Sequence, residues 1–553
     1  MGGHGATRGV RGLLGALALL VRPVAAQSPG LPQDVWERLE ARGATFSGVE
    51  IRIGDVFDPA RPHEDHWIGR LANAIHRETR QRVVAREIPF KAGDPVVART
   101  VHQVERNLRD FRFLKDAFID AEVGPDGRVK AVVRTQDAWT LKVSAGFTQV
   151  GGQRNFGFSV KETNFLGLGK DLSVSHEKTA ERSVDTLLYR DRQFLGSAWS
   201  FAARYQALSD GKTRLLEWVR PYRSLDTPWS MTLRFTSSDS LLSVYNLRRT
   251  AFEAPTRLDT GFFEGTWARV PRGDHVLRVG GGLDFRSPRE GAVRPVEAEA
   301  FADGALAPPD LSSRQLAGLH LTWSLATDRY RSFQDLAGMT HTEDYNLGWE
   351  ATLRLGTYTR GLGGEADAPF FGLDAAKGWL PRPDALLLLR ASAQGRREPG
   401  GWRNLVSSAS FTAYSKALPS QTLAAYAQVD AALRPDPENF LYLGGMEGLR
   451  GYANHLFIGD RRWILSVEER PITPINWLGI LQLGFVVYAD AGAIRRLDTG
   501  RWSRTYANLG GGLRFGDLKS SLGRVFLITV AYPLVRDPGL ERSQLVIGNI
   551  IRF

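Results

Sequence analysis

The stretch Leu481-Gln482-Leu483-Gly484-Phe485-Val486-Val487-Tyr488-Ala489-Asp490-Ala491-Gly492 decides how this chain folds. Leu481, Leu483, Phe485, Val487 and Ala489 fall on one face of an extended backbone. Gln482, Gly484, Val486, Tyr488, Asp490 and Gly492 fall on the other. Side chains of a strand alternate, so this is a strand with one apolar wall and one mostly small or polar wall. A bilayer-crossing helix fits poorly. The apolar window 476–494 carries Gln482 and Asp490 and is broken by Gly479, Gly484 and Gly492.

The same period runs outward in both directions. In 141–150, Leu141, Val143, Ala145 and Phe147 alternate with Lys142, Ser144, Gly146 and Thr148. In 524–532, Phe526, Ile528, Val530 and Tyr532 share an apolar face. Such segments recur through residues 139–553 between Gly, Asp and Pro turns, and from 16 to 20 of them can be marked. A sheet this long must lose its edges, and closure into a barrel removes them. An array of soluble sandwiches is the alternative, but it predicts a repeat of about 100 residues, and none is visible.

Composition agrees with a barrel. The chain has 553 residues, 43% hydrophobic, with 58 Gly and no Cys. That excludes a disordered chain, a disulfide scaffold, a Cys-ligated metal and a Cys nucleophile. The slightly polar balance excludes a helical membrane protein, not a membrane barrel, in which alternate residues face lipid. The net charge of +11 is spread without a Lys/Arg block, and only 11 of the 71 basic residues are Lys, so no nucleic acid is expected as a partner.

The N-terminus reads as a secretory signal, residues 1–26. Arg8 and Arg11 precede the apolar run 13–21, and Val24, Ala25 and Ala26 offer a small-residue cleavage site. After an N-terminal segment, 27–47, residues 48–138 read as a β-α-α-β-β module. A strand carries Val49, Ile51 and Ile53. Helices are predicted near 79–88 and 98–111, the second placing Val97, Val101, Val104, Leu108 and Phe111 on one face. Two closing strands, 117–123 and 128–135, flank the turn Gly124-Pro125-Asp126-Gly127.

The most specific segment is Gly444-Gly445-Met446-Glu447-Gly448-Leu449-Arg450-Gly451-Tyr452. It resembles the Arg-Gly-Tyr/Phe loop of the BamA/TamA-type outer-membrane assembly and secretion barrels, the POTRA-containing bacterial surface antigen superfamily. Ser466-Val467-Glu468 with Pro471 resembles the acidic strand after that loop, and 485–492 the next strand. Gly510–Phe515 and Ala531-Tyr532-Pro533-Leu534 resemble the strands before the last, and Thr135–Leu141 resembles the junction of module and barrel. The terminal Leu545, Ile547, Ile551 and Phe553 resemble the signal by which such barrels are recognised for assembly, although Asn549 departs from it. Phe553 is also readable simply as an interface aromatic.

The resemblance implies an all-β transmembrane barrel of 16 antiparallel strands (residues 139–553) with one small α+β POTRA domain (48–138). It implies a bacterial outer-membrane location with the POTRA domain in the periplasm. The loop would fold into the lumen, where Arg450 meets Glu468 and Asp490 while Gly444, Gly445, Gly451 and Tyr452 shape the turn. The alternative is that these charges merely line a wet lumen, where pairs contribute little.

The function implied is insertion of client proteins into the outer membrane, or their translocation across it. A seam strand bearing Leu141, Val143, Ala145 and Phe147 would pair incoming strands beside the last strand, 545–553. Partners would be outer-membrane lipids, unfolded or secreted clients, and periplasmic or lipoprotein partners. Competing readings are a two-partner secretion transporter, and a passive pore or surface antigen without clients. The fused lipase of some relatives has no counterpart. No cofactor, metal or enzymatic activity is expected. There is no Gly-x-Ser-x-Gly, Gly211-Lys212-Thr213 lacks the first phosphate-loop Gly, and His63 and His66 are spaced three apart, not four.

Overall fold

A computed structural model describes residues 35–58, 67–311, 314–339, 341–418, 420–519, 525–535 and 542–548. The expected signal segment 1–26, His63, His66, Ile551 and Phe553 lie outside the described residues.

The N-terminal module is a three-stranded sheet covered by helices. Strand Phe46–Gly54 runs parallel to the central strand Val129–Asp137, and Leu114–Val123 pairs with the central strand antiparallel. The helix Ala98–Arg109 turns Val101, Val104 and Leu108 into the core, where Phe46, Phe111, Phe113 and Leu114 are also buried. Its spacing of three and four residues is what makes that face continuous. The expected helix near 79–88 is shorter, Gln81–Ala85, and two further helices precede it, Val35–Ala41 and Trp67–Ile75. Trp67–Ile75 carries Ile68, Leu71, Ala72 and Ile75 at helical spacing, but over only nine residues.

Beyond Trp139, twenty strands close into a barrel that starts at Leu141–Val150 and ends at Gln544–Gly548. The sixteen strands implied by the resemblance are therefore too few. Alternation fixes which face a residue takes, not how many strands close the ring. Diameter grows with strand number, and this lumen has two in-folded segments to accommodate. The six strands from Leu141–Val150 to Gly211–Arg220 are short. Trp229–Asn246 and Arg249–Ala268 are continuous strands of 18 and 20 residues. Among the described residues, no helix is long and apolar enough to cross a membrane.

The period of two survives in three dimensions. Along Leu481–Arg496, Gln482, Gly484, Val486, Tyr488 and Asp490 are buried inside the barrel, while Phe485 and Val487 are exposed outside. Phe156, Val174, Leu187, Leu321 and Tyr532 are exposed on the same outer wall. A soluble monomer rarely shows so extended an apolar surface.

Module and barrel meet around Asp137. Its buried carboxylate accepts from the Thr79 amide (2.9 Å) and hydroxyl (2.7 Å) and lies 2.7 Å from His76 Nε2. Asn164, in the first barrel turn on this side, donates to Thr79 Oγ1 at 2.8 Å. This end of the barrel is the module-facing mouth.

Candidate functional site

The segment between strands Leu423–Leu433 and Phe457–Glu469 starts at the far mouth and folds inward. It is closed on itself by Leu449 N donating to Gly444 O (2.7 Å), Tyr452 N to Leu449 O (2.9 Å) and Gly445 N to Ala453 O (3.0 Å). Leu449 and Tyr452 are fully buried against Leu443, Ile464, Ile494 and Tyr506. Tyr452 also donates its hydroxyl to Ala507 O at 2.6 Å.

The turn has room only for glycine at its closest approaches. A Cβ on Gly451 would lie 2.6 Å from that of Asn508. One on Gly445 would lie 2.6 Å from Tyr452 O, and Gly444 is equally crowded by Ala453 O at 2.5 Å. Each is shorter than van der Waals contact permits.

This fold drives Arg450 into the lumen with 2% exposure. Its Nε and Nη2 donate to the two oxygens of Asp490 at 2.9 and 2.6 Å, and Nη1 donates to Glu468 at 2.6 Å. Nη2 also reaches Ser466 Oγ at 3.1 Å. The guanidinium lies 3.4 Å from the centre of the Tyr488 ring, a cation–π contact strengthened by desolvation. Asp490 is held in turn by Ser466 (2.7 Å) and Asn508 (2.9 Å). Arg470 Nε donates to the other oxygen of Glu468 at 2.8 Å.

A buried cation is stable only when its hydrogen bonds are met and its charge is matched, and both conditions hold. The structure thus brings Arg450, Glu468 and Asp490 together on the small-residue inner face. Ser466 and Tyr488 stood in the quoted motifs without an assigned contact, whereas Asn508 and Arg470 carried no signal as partners. A further contact went unread. Asn454 donates to Val150 O (3.1 Å) and Gln153 Oε1 (2.9 Å), tying the loop to the turn after the first barrel strand.

At the closure, Ile547 pairs with Gln149 across the first and last strands. Leu141, Val143 and Ala145 are exposed on the outer face, and Phe147 is partly covered by Phe156, with ring centres 5.2 Å apart. Leu545 is exposed and Ile547 half-buried on the same face. A second inner cluster joins His320 to Asp284 and Glu264, with Thr322 (2.6 Å) and Arg354 (3.1 Å) also on Glu264. Among the described residues, no group of three or more His, Asp or Glu is placed to hold a metal.

No protein-family model matches the chain. A protein of Treponema pallidum (strain Nichols) described as a putative outer membrane protein assembly factor is 28% identical over 265 residues. The match takes in 46% of this chain and 30% of that relative, so the chain spans less than a third of the relative's length. Among solved structures, CdiB from Escherichia coli is similar at 15% identity and a TM-score of 0.46, over 91% of this chain and 76% of that one. BamA from Haemophilus ducreyi lacking POTRA domains 1–3 is similar at 13% identity and a TM-score of 0.39, over 91% and 84%. The resemblance to the BamA/TamA-type superfamily, read from the loop and its neighbouring strands, is supported by the sequence relative.

Proposed function

We propose that this chain is a non-enzymatic outer-membrane barrel that assists insertion of client proteins into the bacterial outer membrane, or their translocation across it. The N-terminal module is the POTRA domain and faces the periplasm. Its sheet edge and the barrel seam between Leu141–Val150 and the last strand pair with client strands by β-augmentation. Burial of the client's apolar strands supplies the free energy.

The observation that carries this reading is the in-folded loop, held through Arg450 by two carboxylates on neighbouring strands. The Treponema relative, described as an assembly factor, points the same way.

Depletion of the protein followed by outer-membrane proteomics tests the reading. Loss of several other barrels is the outcome expected for assembly, and loss of one exported protein that for two-partner secretion. An unchanged membrane proteome would return the chain to a passive role.

A further inference from the structure

A second segment enters the lumen, from the opposite end. Between barrel strands Leu316–Thr327 and Trp349–Tyr358 the chain forms a small hairpin of strands Tyr330–Gln334 and Thr342–Asn346, paired with each other and not with the barrel. It arises at the module-facing mouth. Alternation alone cannot tell these two strands from wall strands.

The tip of the hairpin is bound as a ligand would be. Four consecutive carbonyls are each taken by a different side chain of the wall. Lys416 Nζ donates to Gln334 O (2.7 Å) and Thr422 Oγ1 to Asp335 O (2.7 Å). Arg470 Nη1 donates to Leu336 O (2.9 Å) and Arg514 Nη2 to Ala337 O (3.3 Å). The amides of Leu336, Ala337 and Gly338 all donate to the Glu343 carboxylate, at 3.2, 3.1 and 3.0 Å. The buried backbone is satisfied on both sides, which is the condition for irregular chain to sit inside a barrel. Leu336 is buried in a cluster with Leu386, Tyr414 and Ala424, and Met339 in one that includes Val486.

The module holds the hairpin at its base and along its second strand. Arg109 forks onto Asp344 at 2.9 and 3.2 Å, and Thr342 Oγ1 donates to Asp116 at 3.3 Å. Arg106 stacks over Tyr330, 4.4 Å from its ring centre. This interface borders an open polar cleft of about 480 Å³, lined by Asn107, Tyr222, Tyr330 and His341 among others.

We propose that this hairpin is a built-in plug that closes the module-facing mouth and couples the module's position to the Arg450 loop. The connection runs through Arg109 and Asp344 to the tip, and from Leu336 O through Arg470 to Glu468, which holds Arg450. Met339 lies at the tip of the hairpin in the same buried cluster as Tyr488, whose ring faces the guanidinium. Client entry from the module side requires this tip to leave its wall donors.

The test uses the full-length chain. Replacing the two short strands and their tip by a Gly–Ser turn should raise conductance in planar bilayers severalfold, with the barrel still folded by its heat-dependent gel shift. A folded, inserting deletion variant with native conductance would overturn the plug. Coupling is read by a single thiol, Met339→Cys, in a chain that has no cysteine of its own. Adding Asp344→Asn should speed maleimide labelling at that position severalfold, and an unchanged rate would overturn the coupling. The plug rests on the membrane-barrel reading. If neither protein inserted into bilayers, that reading would fail first.

Discussion

Arg450 has its charge matched by Asp490 and Glu468 and its planar face covered by the Tyr488 ring. Arg450→Ala takes the guanidinium from buried Asp490 and leaves Glu468 to Arg470, and removing one partner of such a cluster costs about 3–5 kcal/mol. Denaturant unfolding in detergent should show a loss of that size, and native stability would contradict the assignment. Arg450→Lys should not restore it, because an ammonium cannot span Asp490 in two parallel bonds. The meeting of Arg450, Glu468 and Asp490 was legible in the sequence, since strand parity and the loop motif place all three inward. The Arg470 link was not, because nothing local shows that a second arginine shares Glu468.

A pH effect belongs to the same scale. Burial pushes the His341 imidazole below its ordinary value, with Glu343, Asp116 and Asp344 opposing and Arg109 assisting. The undocked hairpin therefore binds the extra proton more readily. The His341 contribution to docking is complete above about pH 6.5 and is lost as pH falls through the lower docked value. Asp116 acts oppositely. Burial raises its carboxyl, so its contribution to docking is complete below about pH 3.9 and is lost as pH rises through the higher docked value. Openings in planar bilayers should become more frequent as pH falls below about 6.5, and His341→Gln should flatten that change. A variant with the native pH response would remove His341 from the account.

At the scale of elements, period and turn chemistry defined the faces of most strands, but not which neighbours they would take. The inner hairpin shows why. Tyr330–Gln334 and Thr342–Asn346 are each five residues long, with nothing in their pattern to say that they pair only with each other. Their placement is decided by Lys416, Thr422, Arg470 and Arg514, which lie 70 to 180 residues away along the chain. The helix Ala98–Arg109 was readable because its burial is local and periodic, whereas the strand total depends on closure. Closure also offers a direct test of the seam. Gln149 and Ile547 are register partners, so Gln149→Cys with Ile547→Cys should form a disulfide. Oxidation should then arrest client insertion, with recovery on reduction. Full insertion by the oxidised barrel would show that the seam stays shut during work.

Across the whole molecule, the two mouths are managed by different means. A loop enters from one end and is fixed by charge. A hairpin enters from the other and is held through its backbone carbonyls, with the module at its base. Both converge on the wall made by Phe457–Glu469 and Leu481–Arg496. The pairing of Ile547 with Gln149 joins positions about 400 residues apart, whereas most other wall pairings join neighbours in the chain. Local hairpins can therefore form early, and the ring closes late, after the whole barrel sequence has been made. Until then both terminal edges are open to foreign strands. The rate of maturation is set by one long-range encounter, and a nascent chain caught before it is the species most exposed to aggregation.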